Sequence, residues 1–336
     1  MKRKIFKSDK IFIAGSNGMV GSAIFRKFKE AGYGDLKSGG NLLVPTRNEL
    51  NLIDDFSVKK WYERNKPDVV IIAAAKVGGI LANNDMPVDF LLENIKIQNN
   101  LIENAWRFGV KRLLFLGSSC IYPKYSNQPI KEEELLNGEL ESTNQWYALA
   151  KIAGIKLCEA LRIQHNFDAI CLMPTNLYGP RDNYHPINSH VFAALIRKFY
   201  EASKEKNNFV NCWGTGNVYR EFMHVDDLAE AVLFSLENWD PAEKNAPKDK
   251  NGSPLIYLNV GTGKDISIKG LANKIRKVSN YDCDITWDTS KPDGTQRKLL
   301  SIERIKKLGW SAKISLDFGI KETFEEIKNK PYLLDS

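Results

Sequence analysis

The residue pair best suited to proton chemistry is Tyr147 and Lys151, four positions apart in the segment Gln145–His165. That spacing puts both side chains on one face of a helix. A cationic lysine beside a phenol favours the phenolate, so the tyrosine can give and take a proton nearer neutral pH. Ser118, at the end of the strand-like segment Arg112–Gly117, can hold a carbonyl oxygen. Because Y-x-x-x-K also arises by chance on helices, the pair indicates a reductase only if a cofactor lies nearby.

A glycine-rich loop points to that cofactor. The short apolar segment Lys10–Ala14 leads into Gly15, Gly18 and Gly21, spaced G-x-x-G-x-x-G, and the helical pattern Met19–Ala31 overlaps its end. Glycines there permit a tight turn and close approach to a pyrophosphate, which the helix N-terminus then binds. A glycine-rich turn without a ligand is the alternative. The position between strand and helix favours dinucleotide binding.

The residues after the second predicted strand, Leu42–Pro45, bear on which dinucleotide is bound. NAD-binding folds usually place an acidic residue there, for the ribose 2′-hydroxyl. This chain has Arg47 instead, which can pair with a 2′-phosphate and so favours NADP. The alternative is a solvated surface arginine. Arg47 also lies further along the chain than the usual acid, because the insert Gly32–Gly40 adds length.

The segments that must position these residues alternate between strand and helix patterns. The apolar run Asp68–Ala75 is typical of a strand buried on both faces. The alternation predicts an α/β fold with a Rossmann-type doubly wound parallel sheet and a smaller C-terminal substrate-binding lobe. We expect the Rossmann domain to span 1–178 plus about 222–262, and the lobe to span 179–221 and 263–336. The other predicted strands are Ala169–Pro174, Leu255–Val260 and Asp284–Trp287, and the other predicted helices are Asp54–Asn65, Phe90–Phe108 and Val191–Ala202.

Composition narrows the class of protein. Of 336 residues, 43% are apolar and 26% charged, which is ordinary for a globular chain. The net charge of +7 is mild and no dense basic block occurs, so we expect no nucleic-acid partner. The longest apolar run is far shorter than the roughly 20 residues of a membrane span, and Met1–Lys10 leads into no signal-peptide pattern. Five cysteines without a C-x-x-C indicate a cytoplasmic protein with reduced thiols, and no cluster has metal-ligand spacing.

Across almost its whole length the chain resembles the extended short-chain dehydrogenases/reductases, and especially members that epimerise and reduce GDP-4-keto sugars. Several blocks in order are more specific than any single motif. They are Ala73-Ala-Ala-Lys-Val-Gly-Gly-Ile80, Leu116-Gly-Ser-Ser-Cys-Ile-Tyr-Pro123, Tyr147-Ala-Leu-Ala-Lys-Ile-Ala-Gly154, Met173-Pro-Thr-Asn-Leu-Tyr-Gly-Pro180 and Lys291-Pro-Asp-Gly-Thr295.

This resemblance implies an NADP-dependent oxidoreductase with epimerase activity in nucleotide-sugar biosynthesis. The implied reaction converts GDP-4-keto-6-deoxy-D-mannose to GDP-L-fucose by epimerisation at C3 and C5, then reduction at C4. We expect a GDP-sugar substrate, a homodimer and no membrane association.

The resemblance also implies a role for each matching residue. The implied reductase triad is Ser118, Tyr147 and Lys151, and the implied epimerase acid/base pair is Cys120 and His190. The implied NADP contacts are Gly15, Ser16, Asn17, Gly18, Met19, Val20, Gly21, Arg47, Asn48, Glu49, Leu50, Asn51, Leu52, Leu116, Gly117, Ser118, Ser119, Lys151, Pro174, Thr175, Asn176, Leu177 and His190. The implied GDP-sugar contacts are Lys198, Trp213, Arg220, Asp293 and Lys298.

The chemistry of a 4-keto sugar suits Cys120 and His190. Its C3 and C5 protons are acidic, and inversion needs one group to remove a proton and another to return one from the opposite face. A thiol and an imidazole, with reference pKa values of about 8.5 and about 6.5, can do both near neutral pH. The alternatives are a small buried thiol and a structural histidine.

One departure from the family pattern concerns cofactor choice. Family members often carry a second basic residue in the glycine loop, and this chain has Asn17 there, so NADP preference depends mostly on Arg47. Two other functions stay open. One is a reductase or epimerase for another GDP-4-keto sugar, such as a heptose or a dideoxy sugar. The other is a non-catalytic dinucleotide sensor, which would not need the intact triad.

Overall fold

A computed structural model of the chain describes residues 4–335. Residues 1–3 and 336, which the sequence analysis assigns to the ends of the two predicted domains, lie outside the described residues. The strands are β1 (Lys10–Ala14), β2 (Asn41–Leu43), β3 (Val69–Ile72), β4 (Arg112–Leu116), β5 (Ala169–Pro174), β6 (Asn176–Tyr178), β7 (Phe209–Trp213), β8 (Tyr219–His224), β9 (Tyr257–Val260), β10 (Asp265–Ser267), β11 (Asp284–Asp288) and β12 (Arg297–Lys298). The α-helices are α1 (Met19–Glu30), α2 (Asp55–Asn65), α3 (Ile80–Asp85), α4 (Pro87–Arg107), α5 (Gln145–His165), α6 (Val191–Glu205), α7 (Val225–Asn238), α8 (Ile268–Ser279), α9 (Glu303–Leu308) and α10 (Leu316–Asn329).

The central layer is a six-stranded sheet in the order β2-β1-β3-β4-β5-β9. Every neighbouring pair in it is parallel. All residues of β3 and β4 are buried, which a strand needs when helices cover both faces of its sheet. The predicted α/β fold with a doubly wound parallel sheet is confirmed. The strand order reverses between β1 and β3, and ligands of such folds bind at the carboxyl edge near that point.

Buried apolar side chains form two clusters, which we call the first core and the second core. The first core joins the six-stranded sheet to α1, α4, α5 and α7. The second core lies among α6, α8, α10 and β7. The two-domain boundaries stay a prediction. Four residues of the stretch assigned to the smaller lobe pack in the first core, namely Leu300, Ile302, Ile305 and Trp310.

Strand β8 connects the smaller sheets. It pairs with β6, β10 and β12, while β7 pairs with β11 in a separate two-stranded sheet. Glu221 in β8 is fully buried and accepts hydrogen bonds from the backbone N–H groups of Thr262, Gly263 and Leu300. One carboxylate therefore joins β8 to two other segments, the loop between β9 and β10 and the residues after β12.

Two negative observations apply to residues 4–335. No helix in that range combines the length and the apolar composition of a bilayer span. No group of three or more His, Cys, Asp or Glu side chains in the same range is arranged to hold a metal ion. All five cysteines are buried and unpaired.

Candidate active site

The turn that follows β4 presents a hydroxyl and a thiol at the carboxyl edge of the sheet. Residues Ser119–Ile121 form one 3₁₀ turn, and the hydroxyl of Ser118 accepts a hydrogen bond of 3.3 Å from the backbone N–H of Cys120. Burial raises the pKa of the Cys120 thiol, and the nearby positive charge of Lys298 opposes that rise. The thiol is therefore mainly protonated near neutral pH.

Helix α5 holds Tyr147 and Lys151 beside this turn. The ammonium Nζ of Lys151 donates a hydrogen bond of 2.8 Å to the carbonyl of Leu116, the last residue of β4. It also lies 5.7 Å from the centroid of the Tyr147 ring. Burial lowers the pKa of Lys151 to about 8. The predicted i, i+4 pair thus lies on one helix face, and Lys151 is bonded to the end of β4, the strand that Ser118 follows.

The pKa of Tyr147 differs in direction from the sequence-based expectation. Burial raises the pKa of the phenol above its ordinary value, and the neighbouring Cys120 adds to the rise. Desolvation of the phenolate is the larger of these two causes. A neutral phenol is the form that donates a proton, so the raised pKa suits a general acid.

Lys298, whose charge acts on the thiol, has a second cation as its neighbour. Lys298 of β12 lies beside Arg220 of β8 in parallel register. Burial lowers the pKa of Lys298, while its attraction to Cys120 acts the other way. Burial also lowers the pKa of Arg220 to about 10, and its Nη2 donates a hydrogen bond of 3.1 Å to the backbone carbonyl of Asp293. The pair offers two neighbouring positive charges, of which Lys298 acts on the candidate epimerase thiol.

An exposed aromatic ring continues this face. The ring of Trp213, which is 40% exposed, has Lys198 Nζ at 5.2 Å from its centroid and Lys291 Nζ at 5.4 Å. Asp293 accepts hydrogen bonds of 2.8 Å from both the backbone N–H and the hydroxyl of Thr215. The indole ring can stack on a planar base, and the two lysines can attract a diphosphate.

His190 is the N-cap residue of α6, as the sequence predicts for the start of a helix. Desolvation by surrounding protein lowers its pKa, although the residue as a whole remains exposed. The two residues before it meet the loop after β3, because the carbonyl of Asn188 accepts a hydrogen bond of 2.9 Å from Gly79 N–H. A neutral imidazole therefore lies on this loop, and its pairing with Cys120 stays a prediction.

The glycine loop between β1 and α1 has the geometry of a dinucleotide cradle. Gly15 has φ +87°, and a Cβ at Gly21 would lie 2.1 Å from the Gly15 carbonyl oxygen, so neither position accepts a side chain without movement. Gly18 makes no side-chain cap, which leaves the first N–H groups of α1 without one. The buried Ser16 hydroxyl has no hydrogen-bond partner within residues 4–335. These features fit a pyrophosphate on the N-terminus of α1.

The other predicted cofactor residues lie near the same edge of the sheet. Arg47 and Asn17 are exposed, and Arg47 follows β2. The stretch Pro174–Leu177 joins β5 to β6, where Thr175 N–H donates a hydrogen bond of 3.0 Å to Val260. Their contacts with a cofactor stay predictions.

Sequence reasoning missed three polar residues at the site. Lys291 lies over Trp213, as described above, although it belongs to a block that the resemblance singled out. Glu141 is buried next to Thr295, whose hydroxyl it binds at 3.3 Å. A lone acid six residues before a tyrosine has no motif, so only the fold reveals its place.

The chain is similar to known proteins over most of its length. The chain is 50% identical over 319 residues to GDP-L-fucose synthase 1 of Arabidopsis thaliana, covering 95% of this chain and 93% of the relative. It is 48% identical over 317 residues to GDP-L-fucose synthase of Escherichia coli (strain K12), covering 94% and 95%. A crystal structure of a GDP-D-glycero-L-gluco-heptose synthase from Campylobacter jejuni, in the presence of NADPH, superposes with a TM-score of 0.84 at 34% identity, covering 97% of this chain and 99% of that one.

A protein family as a whole also matches more than half of the chain. Residues 11–248 match the pattern of that family, and this range includes the glycine loop, the turn after β4 and the Tyr147–Lys151 face of α5. The chain belongs to the NAD dependent epimerase/dehydratase family.

Proposed function

We propose that this chain is a GDP-L-fucose synthase, an NADPH-dependent enzyme that converts GDP-4-keto-6-deoxy-D-mannose to GDP-L-fucose. The observation that carries the proposal is that one turn, after β4, holds a candidate residue for reduction and a candidate residue for epimerisation. Ser118 of the reductase set and Cys120 of the epimerase set lie two residues apart, and Tyr147 and Lys151 face them from α5. A plain ketoreductase needs only the first set. Relatives with this activity, at 50% and 48% identity over most of the chain, support the assignment.

Reduction at C4 follows from the reductase set. NADPH, bound along the glycine loop, supplies a hydride to C4. Tyr147 donates its phenolic proton to the C4 oxygen, for which its raised pKa keeps it protonated. Lys151 stabilises the phenolate that forms, and the Ser118 hydroxyl orients the carbonyl.

Epimerisation follows from the thiol and the imidazole. At neutral pH burial keeps Cys120 protonated, and desolvation keeps His190 neutral. Before the reaction Cys120 can therefore donate a proton, and the imidazole of His190 can accept one. Removal of a proton at C3 or C5 leaves an enolate, whose negative charge Lys298 offsets at short range.

The GDP part of the substrate is assigned to the basic face. Arg220 and Lys298 would bind the diphosphate, and Trp213 would stack on the guanine between Lys198 and Lys291. Asp293 is assigned to holding this loop through Thr215 rather than to direct contact.

NADPH is the assigned cofactor. Arg47 is exposed after β2, where a guanidinium reaches a 2′-phosphate, and the Campylobacter jejuni relative was solved with NADPH. Asn17 adds no charge there. The ratio of kcat/KM for NADPH and NADH, in wild type and in Arg47→Ala, measures this contribution.

A homodimer in the cytoplasm is the assigned state. Four large apolar residues are exposed on neighbouring helices, namely Val88 (67%) and Leu92 (46%) on α4 and Leu149 (41%) and Ile163 (81%) on α5. Self-association through α4 and α5 would bury them. Five unpaired thiols suit a reducing compartment.

One experiment tests the activity. Purified protein is incubated with GDP-4-keto-6-deoxy-D-mannose and NADPH, and the product is identified by NMR. GDP-L-fucose is the expected product, and GDP-6-deoxy sugars with an uninverted centre would contradict the epimerase assignment.

The GDP-heptose relative favours a second candidate function, reduction of a GDP-4-keto-heptose. A higher kcat/KM for that substrate would replace the first proposal.

A further inference from the structure

The turn that opens α5 lacks the side-chain cap that its N-cap residue could supply. Asn144 occupies the N-cap position, where asparagine normally accepts a hydrogen bond from the helix backbone, but its side chain makes no such bond. Its Oδ1 and the Thr143 Oγ1 are buried, and neither has a hydrogen-bond partner in the range 4–335. Two local bonds hold the turn, from Gln145 Nε2 to the Ser142 carbonyl at 3.2 Å and from the Ser142 hydroxyl to Glu141 Oε1 at 3.5 Å. Contacts with the rest of the fold add to these local bonds.

Glu141 provides such contacts. The residue is 6% exposed. Its Oε2 accepts a hydrogen bond of 3.3 Å from the hydroxyl of Thr295 and lies 3.2 Å from Lys124 Nζ. Its backbone carbonyl accepts a hydrogen bond of 3.1 Å from Asn144 N–H. Because Thr295 lies just before β12, one carboxylate links the start of α5 to the strand that carries Lys298.

The negative charge of the same carboxylate acts on both candidate substrate cations. Burial lowers the pKa of Arg220 and of Lys298, and the negative charge of Glu141 acts against that fall in each case. Lys298 in turn acts on the thiol of Cys120. Glu141 therefore stands between the helix of the reductase pair and the cations beside the epimerase thiol.

We propose that Glu141 is a positioning residue for the GDP-sugar: its carboxylate fastens the segment Thr295–Lys298 to the turn that opens α5. This fastening keeps Lys298 and Arg220 at a fixed distance from Tyr147, so that a substrate held by the cations presents its sugar to the phenol. The inference rests on the proposed function, since a GDP-sugar has to span these two elements. Glu141 exchanges no proton with the substrate and acts through its neighbours.

Two substitutions test the proposal without changing the charge. Glu141→Asp keeps the carboxylate but withdraws it by one methylene from Thr295 and Lys124. Thr295→Val removes the donated hydroxyl. We expect the Kd of GDP, measured by calorimetry, and the KM of the GDP-4-keto sugar to rise about tenfold in the first variant and about threefold in the second. The Kd of NADPH should stay unchanged, and kcat should fall by a smaller factor than KM rises.

A matched control is Glu139→Asp, the same chemical change at an exposed residue two positions earlier. It should leave both constants at wild-type values. The double variant Glu141→Asp/Thr295→Val should bind GDP no more weakly than Glu141→Asp, because both changes remove one shared bond. Additive losses would overturn the proposal, because the two residues would then act separately.

Other outcomes separate this inference from the proposed function. If Glu141→Asp lowers only the melting temperature and leaves the Kd of GDP and the KM unchanged, Glu141 is structural and the proposal is wrong. If wild type binds GDP but does not convert the GDP-4-keto sugar, the proposed function is wrong, and the GDP affinities of the variants still decide the role of Glu141. If wild type does not bind GDP at all, both are wrong.

Discussion

Desolvation is the main influence on the protonation of the residues at this site. Burial raises the pKa of Tyr147 and Cys120 and lowers the pKa of Lys151, so the neutral form of each group is favoured over its charged form. The proposed reduction requires a positive charge on Lys151. Because burial lowers the pKa of this lysine, that charge is lost as the pH rises above neutrality.

The pH dependence of reduction tests this point. Lys151 is charged below its pKa of about 8 and neutral above it, so kcat/KM should fall as pH rises through that value. Initial rates of NADPH oxidation between pH 6 and pH 10 would show the fall. Lys151→Arg, whose guanidinium stays charged, should be slower but lack this limb. An equal alkaline fall in Lys151→Arg would assign the limb to another group.

Cys120→Ser separates epimerisation from reduction. Serine is close to cysteine in size, so the fold should persist, but its hydroxyl is far less acidic and exchanges protons poorly near neutral pH. A proton-transfer residue contributes about 10²–10⁴-fold to its step. We expect slow turnover, with release of GDP-6-deoxy sugars that keep one or both centres uninverted, detected by NMR. Production of GDP-L-fucose at the wild-type rate would show that the thiol only packs.

The sequence identified residues with a motif but not those that depend on the fold. Tyr147 and Lys151 share a helix face, so their spacing alone predicts their meeting. Lys291 and Glu141 reach their partners, Trp213 and Thr295, across 78 and 154 positions of the chain, and no local pattern encodes such distances. The direction of the Tyr147 pKa also needed the structure, because burial cannot be read from spacing.

At the scale of elements, the glycine loop requires small residues for two different reasons. Gly21 lacks space because the Gly15 carbonyl is too close, whereas a Cβ at Gly18 would meet its nearest neighbour at an ordinary 3.6 Å. At Gly21 a side chain is excluded by the packing of α1 against the loop. At Gly18 a side chain would be excluded only by the bound dinucleotide.

Gly21→Ala should therefore destabilise the fold by about 1–3 kcal/mol, the usual cost of overpacking, and weaken NADPH binding. Gly18→Ala should keep the melting temperature of wild type. Thermal denaturation and fluorescence titration with NADPH measure the two effects. Equal melting temperatures for all three proteins would mean that α1 can shift without cost.

Prediction of the elements was best where the pattern is continuous. The bounds predicted for β1, α5 and β5 match those observed, since each is an unbroken apolar or periodic run. The run Asp68–Ala75 forms a strand only over Val69–Ile72, because the following residues leave the sheet for the loop that meets α6. Strand β8 and helix α7 were not predicted. β8 is short and pairs with strands distant in sequence, so local periodicity gives little signal for it.

At the scale of the whole molecule, the exposed apolar residues of α4 and α5 predict self-association. Leu92→Lys places a charge in that surface and should convert a dimer to a monomer, as measured by size-exclusion chromatography with light scattering. Phe318→Lys is the matched control, because Phe318 is also exposed, at 59%, but lies on α10. A dimer that persists in Leu92→Lys would exclude this face.

The return of Leu300–Trp310 to the first core has a consequence for how the molecule unfolds. The chain passes from one core to the other and returns more than once. Unfolding of one core would therefore displace chain segments that also belong to the other core. We therefore expect one cooperative calorimetric transition, and we expect no separately stable fragment from limited proteolysis. The successive core residues on either side of each crossing are Met173 and Tyr178, Phe222 and Met223, Val260 and Ile268, Cys283 and Leu300, and Trp310 and Ile320.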